Sequence, residues 1–259
     1  MQNPKNILIT GASSGIGEAL AHHYAQEGVT LYLSGRNEDR LNQVAQACRD
    51  KGAEVTPTLV DVTDQDSMND WIKSANEEAE LDLVIANAGI GSKQEFQDKK
   101  PLDVTRRVFD VNVTGVFNTI EPALEIFKVR KSSCQIAIVS SIAGYRGWSS
   151  APAYTASKGA VRFYGEALRG SLSKSNIQVS VICPGFVRSR ITDENEFKMP
   201  FFMEAPKAAK IIARGLAKNK GRISFPWQMA FIAWFISTLP DCIAQKLVQE
   251  MPAKEALID

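Results

Sequence analysis

The chain has 259 residues, 44% of them hydrophobic and 23% charged. That is ordinary globular usage at a length of one large domain or two small ones, and it excludes wholesale disorder. Thirty basic residues against 29 acidic ones leave a net charge of +1, so no global field draws the protein to nucleic acid.

Four widely separated cysteines, Cys48, Cys134, Cys183 and Cys242, form no CxxC pair. This argues against a zinc site or a disulfide scaffold and fits a reducing compartment; no metal centre is expected. The first 20 residues have neither a basic start nor a long apolar run, which makes the cytoplasm the expected location. The only histidines are adjacent, His22 and His23, so acid–base chemistry needs one of this pair or another residue type.

Seven short apolar runs lie at residues 6–10 (NILIT), 29–34 (VTLYLS), 55–60 (VTPTLV), 81–86 (LDLVIA), 135–140 (QIAIVS), 178–183 (QVSVIC) and, more weakly, 222–225 (RISF). Helix-length polar stretches separate them. Near-continuously apolar, β-branched strands alternating with helices predict a parallel sheet covered on both faces. The expected fold is α/β: a doubly wound, Rossmann-like parallel sheet of about seven strands, with an apolar C-terminal helical tail. Such sheets bind ligands beyond the carboxyl ends of their strands.

The first run ends in Thr10-Gly11-Ala12-Ser13-Ser14-Gly15-Ile16-Gly17, followed by a helical pattern. Glycines let the backbone turn tightly against an anion, and a new helix points free N–H groups at phosphate. The GxxxGxG spacing is neither GxGxxG nor a Walker loop. Three glycines could serve packing alone, but strand before and helix after favour a dinucleotide. The second run ends in Ser34-Gly35-Arg36-Asn37, where an acid for the ribose 2′-hydroxyl would otherwise stand. The Arg36 guanidinium suits a 2′-phosphate, so NADP(H) is expected over NAD(H). With Glu38 and Asp39 beside it, a merely solvated charge is the other reading. Asp61, after the third run, could accept from the adenine amino group. Capping of the next helix by Asp61 or Thr63 is the plainer reading.

The fifth run leads into Ser140-Ser141, and Tyr154-Thr155-Ala156-Ser157-Lys158 follows. With Pro152 at a helix start, Tyr154 and Lys158 fall at i and i+4 on one face. A phenol acting near neutral pH needs its pKa lowered by roughly 2–3 units from about 10. An ammonium about 4 Å away supplies about 1 kcal/mol in water and about 4 kcal/mol at an effective dielectric near 20. Lys158 therefore suffices only in a partly desolvated site. The Ser141 hydroxyl could hold a carbonyl oxygen beside the phenol. An isolated YxxxK would read as an amphipathic aromatic and a surface charge; the glycine loop and the serine pair change that reading.

Together these segments resemble the short-chain dehydrogenase/reductase family in its single-domain form. The glycine loop at 10–17, Asp61-Val62, Asn87-Ala88-Gly89, Asn112, Ser141, the Tyr154–Lys158 segment and Pro184-Gly185 occur in the family's order over about the first 190 residues. The resemblance implies that Tyr154 moves the proton of the substrate oxygen, Lys158 lowers its pKa and binds the nicotinamide ribose, and Ser141 stabilises the developing oxyanion. The family serine stands thirteen residues before the tyrosine, which selects Ser141 over Ser140. Asn112 would anchor a water in the proton relay. Gly11, Ser13, Ser14, Gly15, Ile16, Gly17, Asp61, Val62, Asn87, Ala88 and Gly89 would line the cofactor; Val187 and Ser189, in the loop opened by Pro184 and Gly185, would meet the nicotinamide amide. Departures are Ala86 where the family has Asn, Ser189 where Thr is common, and Ser14 without the extra basic residue of some NADP-preferring members.

The expected reaction is reversible hydride transfer between NADP(H) and a lipophilic carbonyl or secondary alcohol. The rival is a dinucleotide-binding regulatory or scaffold protein with little turnover. Tyr145, Trp148, Phe186, Ile191, Phe197, Met199, Phe201, Phe202 and Met203 are expected around the substrate, or in the core or a subunit contact. Arg188, Arg190, Asp193, Glu194 and Glu196 in the same segment equally fit a solvated loop.

Residues 1–220 read as the cofactor-binding and catalytic domain and 221–259 as its C-terminal extension. From Phe225 to Leu239 run fifteen mostly apolar residues, short of the ~20 that span a bilayer. A helix at 229–236, apolar on every side, must be buried or covered. A homo-oligomer contact, a pocket wall and a peripheral membrane foot compete. The basic cluster Arg214, Lys218, Lys220 and Arg222 supports the last, and burial in the fold or an oligomer is favoured.

Overall fold

The computed structural model describes residues 3–91, 101–193 and 198–249. Its strands are β1 (Asn6–Ile9), β2 (Thr30–Gly35), β3 (Glu54–Leu59), β4 (Leu83–Ala86), β5 (Cys134–Val139), β6 (Ile177–Pro184) and β7 (Arg222–Phe225). They form one parallel sheet in the order β3-β2-β1-β4-β5-β6-β7. Each predicted run holds a strand whose ends agree within two residues.

The runs are apolar on both sides because both sheet faces are covered. Ile7 and Ile9 belong to one core and Leu8 to the other, all fully buried. The first core is closed by α1 (Gly15–Tyr24), α2 (Glu38–Arg49) and, further along the chain, α8 (Ala205–Ala217). The second is closed by α3 (Gln65–Glu78), α4 (Pro101–Phe109), α5 (Gly115–Lys128) and α6 (Pro152–Ser171). The short α7 (Arg190–Asp193) follows β6; α9 (Trp227–Thr238) and α10 (Asp241–Gln249) close the described chain. The strand order reverses between β1 and β4. Connections there leave toward opposite faces, so the carboxyl ends of these strands open a crevice.

Two local details position the site. The side chain of Asp64 caps α3 by accepting from Ser67 N at 3.1 Å. This corrects the expectation that Asp61 or Thr63 caps it: Asp61 Oδ1 instead accepts from Thr63 N and Oγ1 at 2.9 and 2.8 Å, closing a tight turn one step earlier. Between α4 and α5 the helix widens into a π-turn, Asp110–Thr114, a distortion often found at functional sites.

The tail does not bury all of its apolar surface in this chain. Ala233 of α9 is buried in a small cluster with Ile142, Val181 and Cys183, against which Met229 and Ala230 pack. On the other side Trp227 is 72% and Phe231 57% exposed, and Trp234 and Phe235 are exposed as well. Arg214, Lys218 and Lys220 precede β7, Arg222 opens it and α9 follows it. Among the described residues no helix is long and apolar enough to cross a membrane.

Candidate active site

A cleft of ≈ 320 Å³ lies across the carboxyl ends of the central strands. Gly11, Ser13, Ser14, Gly15, Ile16, Arg36, Asp61, Val62, Asn87, Ala88, Gly89, Ser141, Tyr154, Lys158, Pro184, Gly185, Val187 and Ser189 line it. Three expected site residues stand behind the lining. Gly17 holds the loop from beneath, Asn112 is buried in the π-turn, and Phe186 lies outside the cleft wall while its carbonyl accepts from Met203 N at 3.0 Å. Its neighbour Val187 lines the cleft.

At the phosphate end, Gly11 and Gly15 adopt left-handed φ of 66° and 60°. A Cβ on Gly15 would stand 2.9 Å from Ser189 Cβ, so the glycine loop and the loop after β6 meet there. Ser14 caps α1 without a side-chain hydrogen bond, leaving the first turn's N–H groups for an anion. Asn87 ties β4 to the loop. Its Nδ2 donates to Thr10 O at 2.9 Å and Gly11 O at 3.1 Å, and Thr10 Oγ1 accepts from Asn87 N and Ala88 N at 3.0 and 3.1 Å. With Ala86 in place of the family's asparagine, Asn87 and Thr10 make this strand-to-strand clamp.

Arg40 lines the same end of the cleft and was absent from the sequence-based set. It occupies the first turn of α2, where its backbone N–H donates to the Asn37 cap at 3.0 Å. Its signal was its spacing, four residues after Arg36. Arg40 Nε and Ser34 Oγ are buried without a hydrogen-bond partner among the described residues, and both residues line the cleft. Buried polar groups seldom stay unsatisfied; two orphans beside a glycine cradle fit a polar, phosphorylated ligand. Asp61 Oδ2 receives Arg107 Nη2 at 3.1 Å. Burial pushes this carboxyl up, but the Thr63 and Arg107 hydrogen bonds outweigh it and hold the pKa below the usual value.

At the other end, Pro152 opens α6 as expected and puts Tyr154 and Lys158 on one side of the helix, with Lys158 Nζ 5.9 Å from the Tyr154 ring centroid. Lys158 is 4% exposed and donates to Val139 O at 3.0 Å. A Cβ on Gly89 would meet Lys158 Nζ and Asn112 Oδ1 at 3.1 Å each, so glycine leaves these groups room beside β4. Asn112 Nδ2 donates to Ile90 O and to Ser157 Oγ, both at 3.1 Å, and its Oδ1 accepts from Ile90 N at 2.8 Å. Ser141 caps the 3₁₀ turn Ile142–Tyr145 through Ala143 N at 3.1 Å.

Burial pushes the Tyr154 phenol above its usual pKa, and the Ser141 hydroxyl pulls it back only in part. Burial thus works against the help expected of Lys158 in a partly desolvated site. Desolvation penalises both charged forms, and the Lys158 ammonium is itself pushed down to about 8.

That shift has a consequence for stability. The unfolded chain keeps the Lys158 proton to about pH 10.4, while the native protein releases it from about pH 8. Between these values the unfolded state binds more protons, so native stability rises with pH. In urea denaturation, wild type is expected to gain about 2 kcal/mol on Lys158→Met between pH 7.5 and pH 10. A stability difference independent of pH would refute the buried ammonium.

The expected lipophilic lid is mostly elsewhere. Tyr145 bonds Ser224 Oγ at 2.8 Å, Trp148 packs on the cluster of Ile236, Ala244 and Val248, and Met203 is in the core. Among the described residues of that set, Ile191 alone lines the cleft, joined by Arg190 and Thr192. Phe197, Glu194 and Glu196 lie outside the described residues. The histidines are remote from this cleft: His22 Nδ1 lies 3.6 Å from Cys48 Sγ between α1 and α2.

The fold and this cleft define a dinucleotide-binding oxidoreductase architecture. A family model for short chain dehydrogenases matches residues 5–199. An uncharacterized oxidoreductase of Myxococcus xanthus is 37% identical over 238 residues, 92% of this chain and 93% of the relative. A short-chain dehydrogenase of Sphingobium yanoikuyae, in complex with NADPH, superposes with a TM-score of 0.78 at 26% identity, covering 97% of this chain and 98% of that one. A Burkholderia phymatum enzyme of the same type, in complex with NAD, gives 0.79 at 25% identity, covering 88% and 91%. The chain belongs to the short-chain dehydrogenase/reductase family and is an oxidoreductase of that family.

Proposed function

We propose that the protein is an NADP(H)-dependent oxidoreductase interconverting a lipophilic carbonyl compound and its secondary alcohol, with Tyr154 as the acid and base. The observation that carries this reading is the lining of one cleft by Ser141, Tyr154 and Lys158 at one end and by the glycine loop with Arg36 and Arg40 at the other. When bound, the nicotinamide supplies or accepts the hydride. Tyr154 gives its proton to the substrate oxygen in reduction and takes it back in oxidation. Lys158, a cation held against Val139 O, favours the phenolate that reduction leaves behind. Ser141 donates to the same substrate oxygen. Asn112 fixes Ile90 and Ser157 around Lys158 and, in this reading, anchors the water through which the proton is replaced.

Support for NADP(H) over NAD(H) comes from two guanidiniums that line the cleft, Arg36 just after β2 and Arg40 in the first turn of α2; Glu38 and Asp39 between them are not part of that lining. Charge-assisted hydrogen bonds are worth about 1.5–3 kcal/mol. Arg36→Ala with Arg40→Ala is therefore expected to weaken NADPH about a hundredfold in fluorescence titration and NADH less than threefold. A tenfold or greater preference of the wild type for NAD(H) in kcat/KM would remove the NADP assignment.

The homo-oligomer expected from sequence gives the outer face of α9 an occupant, a second copy of this chain. A peripheral membrane contact, with the basic cluster Arg214, Lys218, Lys220 and Arg222 nearby in sequence, is the competing reading. Light scattering of wild type and Trp234→Glu reads the oligomer. Pelleting of wild type, and not Trp234→Glu, with anionic vesicles would favour the membrane.

A further inference from the structure

Arg162 stands on α6 four residues after Lys158 and is only 7% exposed. Burying a guanidinium costs several kcal/mol unless it is well paired. Its carboxylate neighbour is a poor pair: Glu166 Oε1 lies 3.5 Å from Arg162 Nη1 and equally 3.5 Å from Arg222 Nη1. Methionine would fill the slot without that desolvation. What an apolar side chain would lack is a donated hydrogen bond, from Arg162 Nε to Gly144 O at 3.1 Å. The guanidinium is held flat for this bond, 4.6 Å from the Tyr145 ring centroid and 4.3 Å from that of Phe163.

Gly144 lies in the 3₁₀ turn that Ser141 caps, and its N–H donates to Ser141 O at 3.0 Å. A Cβ on Gly144 would sit 2.7 Å from the carbonyl carbon and oxygen of Lys158. The turn therefore rests directly on the backbone of α6, where Ser140 Oγ also donates to Lys158 O at 2.7 Å. One residue links the Arg162 bond to the backbone of Ser141, while Tyr154 and Arg162 share a helix.

We propose that Arg162 is a positioning residue: by holding the Gly144 carbonyl it fixes the Ser141 hydroxyl relative to Tyr154. The inference rests on the roles given above to Ser141 and Tyr154. It is tested with the full chain by NADPH consumption with acetophenone, ethyl acetoacetate and phenanthrenequinone. Arg162→Met is expected to lower kcat ten- to thirtyfold with the NADPH Kd within twofold of wild type. Arg162→Gln places an N–H at the same point along the side chain without charge, and is expected to return kcat to within threefold of wild type. Acting through Ser141, Arg162→Met should add nothing to Ser141→Ala, so the double variant is as slow as the serine variant alone. Multiplying losses, or a glutamine variant more than tenfold slower than wild type, overturn the inference; the second outcome holds even if Arg162→Met does not fold. Ser141→Ala as fast as wild type, or a wild type inert toward all three ketones, fails the underlying reading and the inference with it.

Discussion

Tyr154→Phe is expected to lower kcat by about 10²–10⁴-fold, the range of a positioned proton donor, with the NADPH Kd within twofold of wild type. The substitution removes one oxygen. The ring stays on α6, which Pro152 starts and the core residue Val161 anchors. Lys158 keeps its bond to Val139 O, and Ser141 keeps Ala143 N. What disappears is the group whose proton burial retains above the usual tyrosine pKa, so the variant has no acid to give the substrate oxygen. Stopped-flow NADPH oxidation measures kcat, and fluorescence titration measures binding. Near-full activity in the variant would remove Tyr154 from the role. A wild type that binds NADPH tightly yet consumes none with any ketone would favour the regulatory reading instead.

The sheet was legible because parallel strands buried on both faces need unbroken apolar runs, and such runs are visible one strand at a time. The reactive end was legible for a related reason. Ser141 and Tyr154 sit just after a strand and just inside a helix, so their convergence follows from βα order. Arg40 was missed because its meaning depends on a cleft wall built by β2 and α2 together, and alone it is one more basic residue on an amphipathic helix. Arg107 reaches Asp61 across 46 positions, a contact that strand and helix periodicity cannot carry. For the apolar segments the packing alternative holds at three positions. Trp148, Tyr145 and Met203 were assigned by chemical kind, and each found a packing or hydrogen-bond partner outside the cleft. The Lys158 effect on Tyr154 was argued from Coulomb attraction strengthened by partial desolvation, whereas burial also penalises both charged forms, raising the phenol pKa and lowering that of the ammonium.

Gly17→Ala is expected to weaken both NADPH and NADH about a hundredfold and to lower Tm by several degrees. Gly17 is helical, and alanine at an ordinary helical glycine stabilises by up to about 1 kcal/mol. Here the added methyl would stand 2.3 Å from Gly11 O and 2.6 Å from Asn87 Nδ2. Gly11 itself lies close against the backbone of Ala88, so close that a Cβ built on it would stand 2.8 Å from Ala88 Cα. Asn87 cannot swing away without giving up its bonds to Thr10 O and Gly11 O. The alternative is for α1 to lift off the tip of β1, which moves the free N–H groups of its first turn away from the phosphate position. Overpacking of this kind costs about 1–3 kcal/mol, and contact with backbone on both sides places it at the upper end, a factor near one hundred in affinity. Loss with both dinucleotides separates this effect from that of the Arg36 and Arg40 variants, which falls on NADPH. Gly170→Ala, in the exposed last turn of α6 with nothing within 4 Å, is the matched control and should leave binding unchanged while raising Tm slightly. Calorimetric titration of both variants with both dinucleotides checks the pair, and Gly17→Ala binding like wild type would show that the glycine loop does not set the phosphate position.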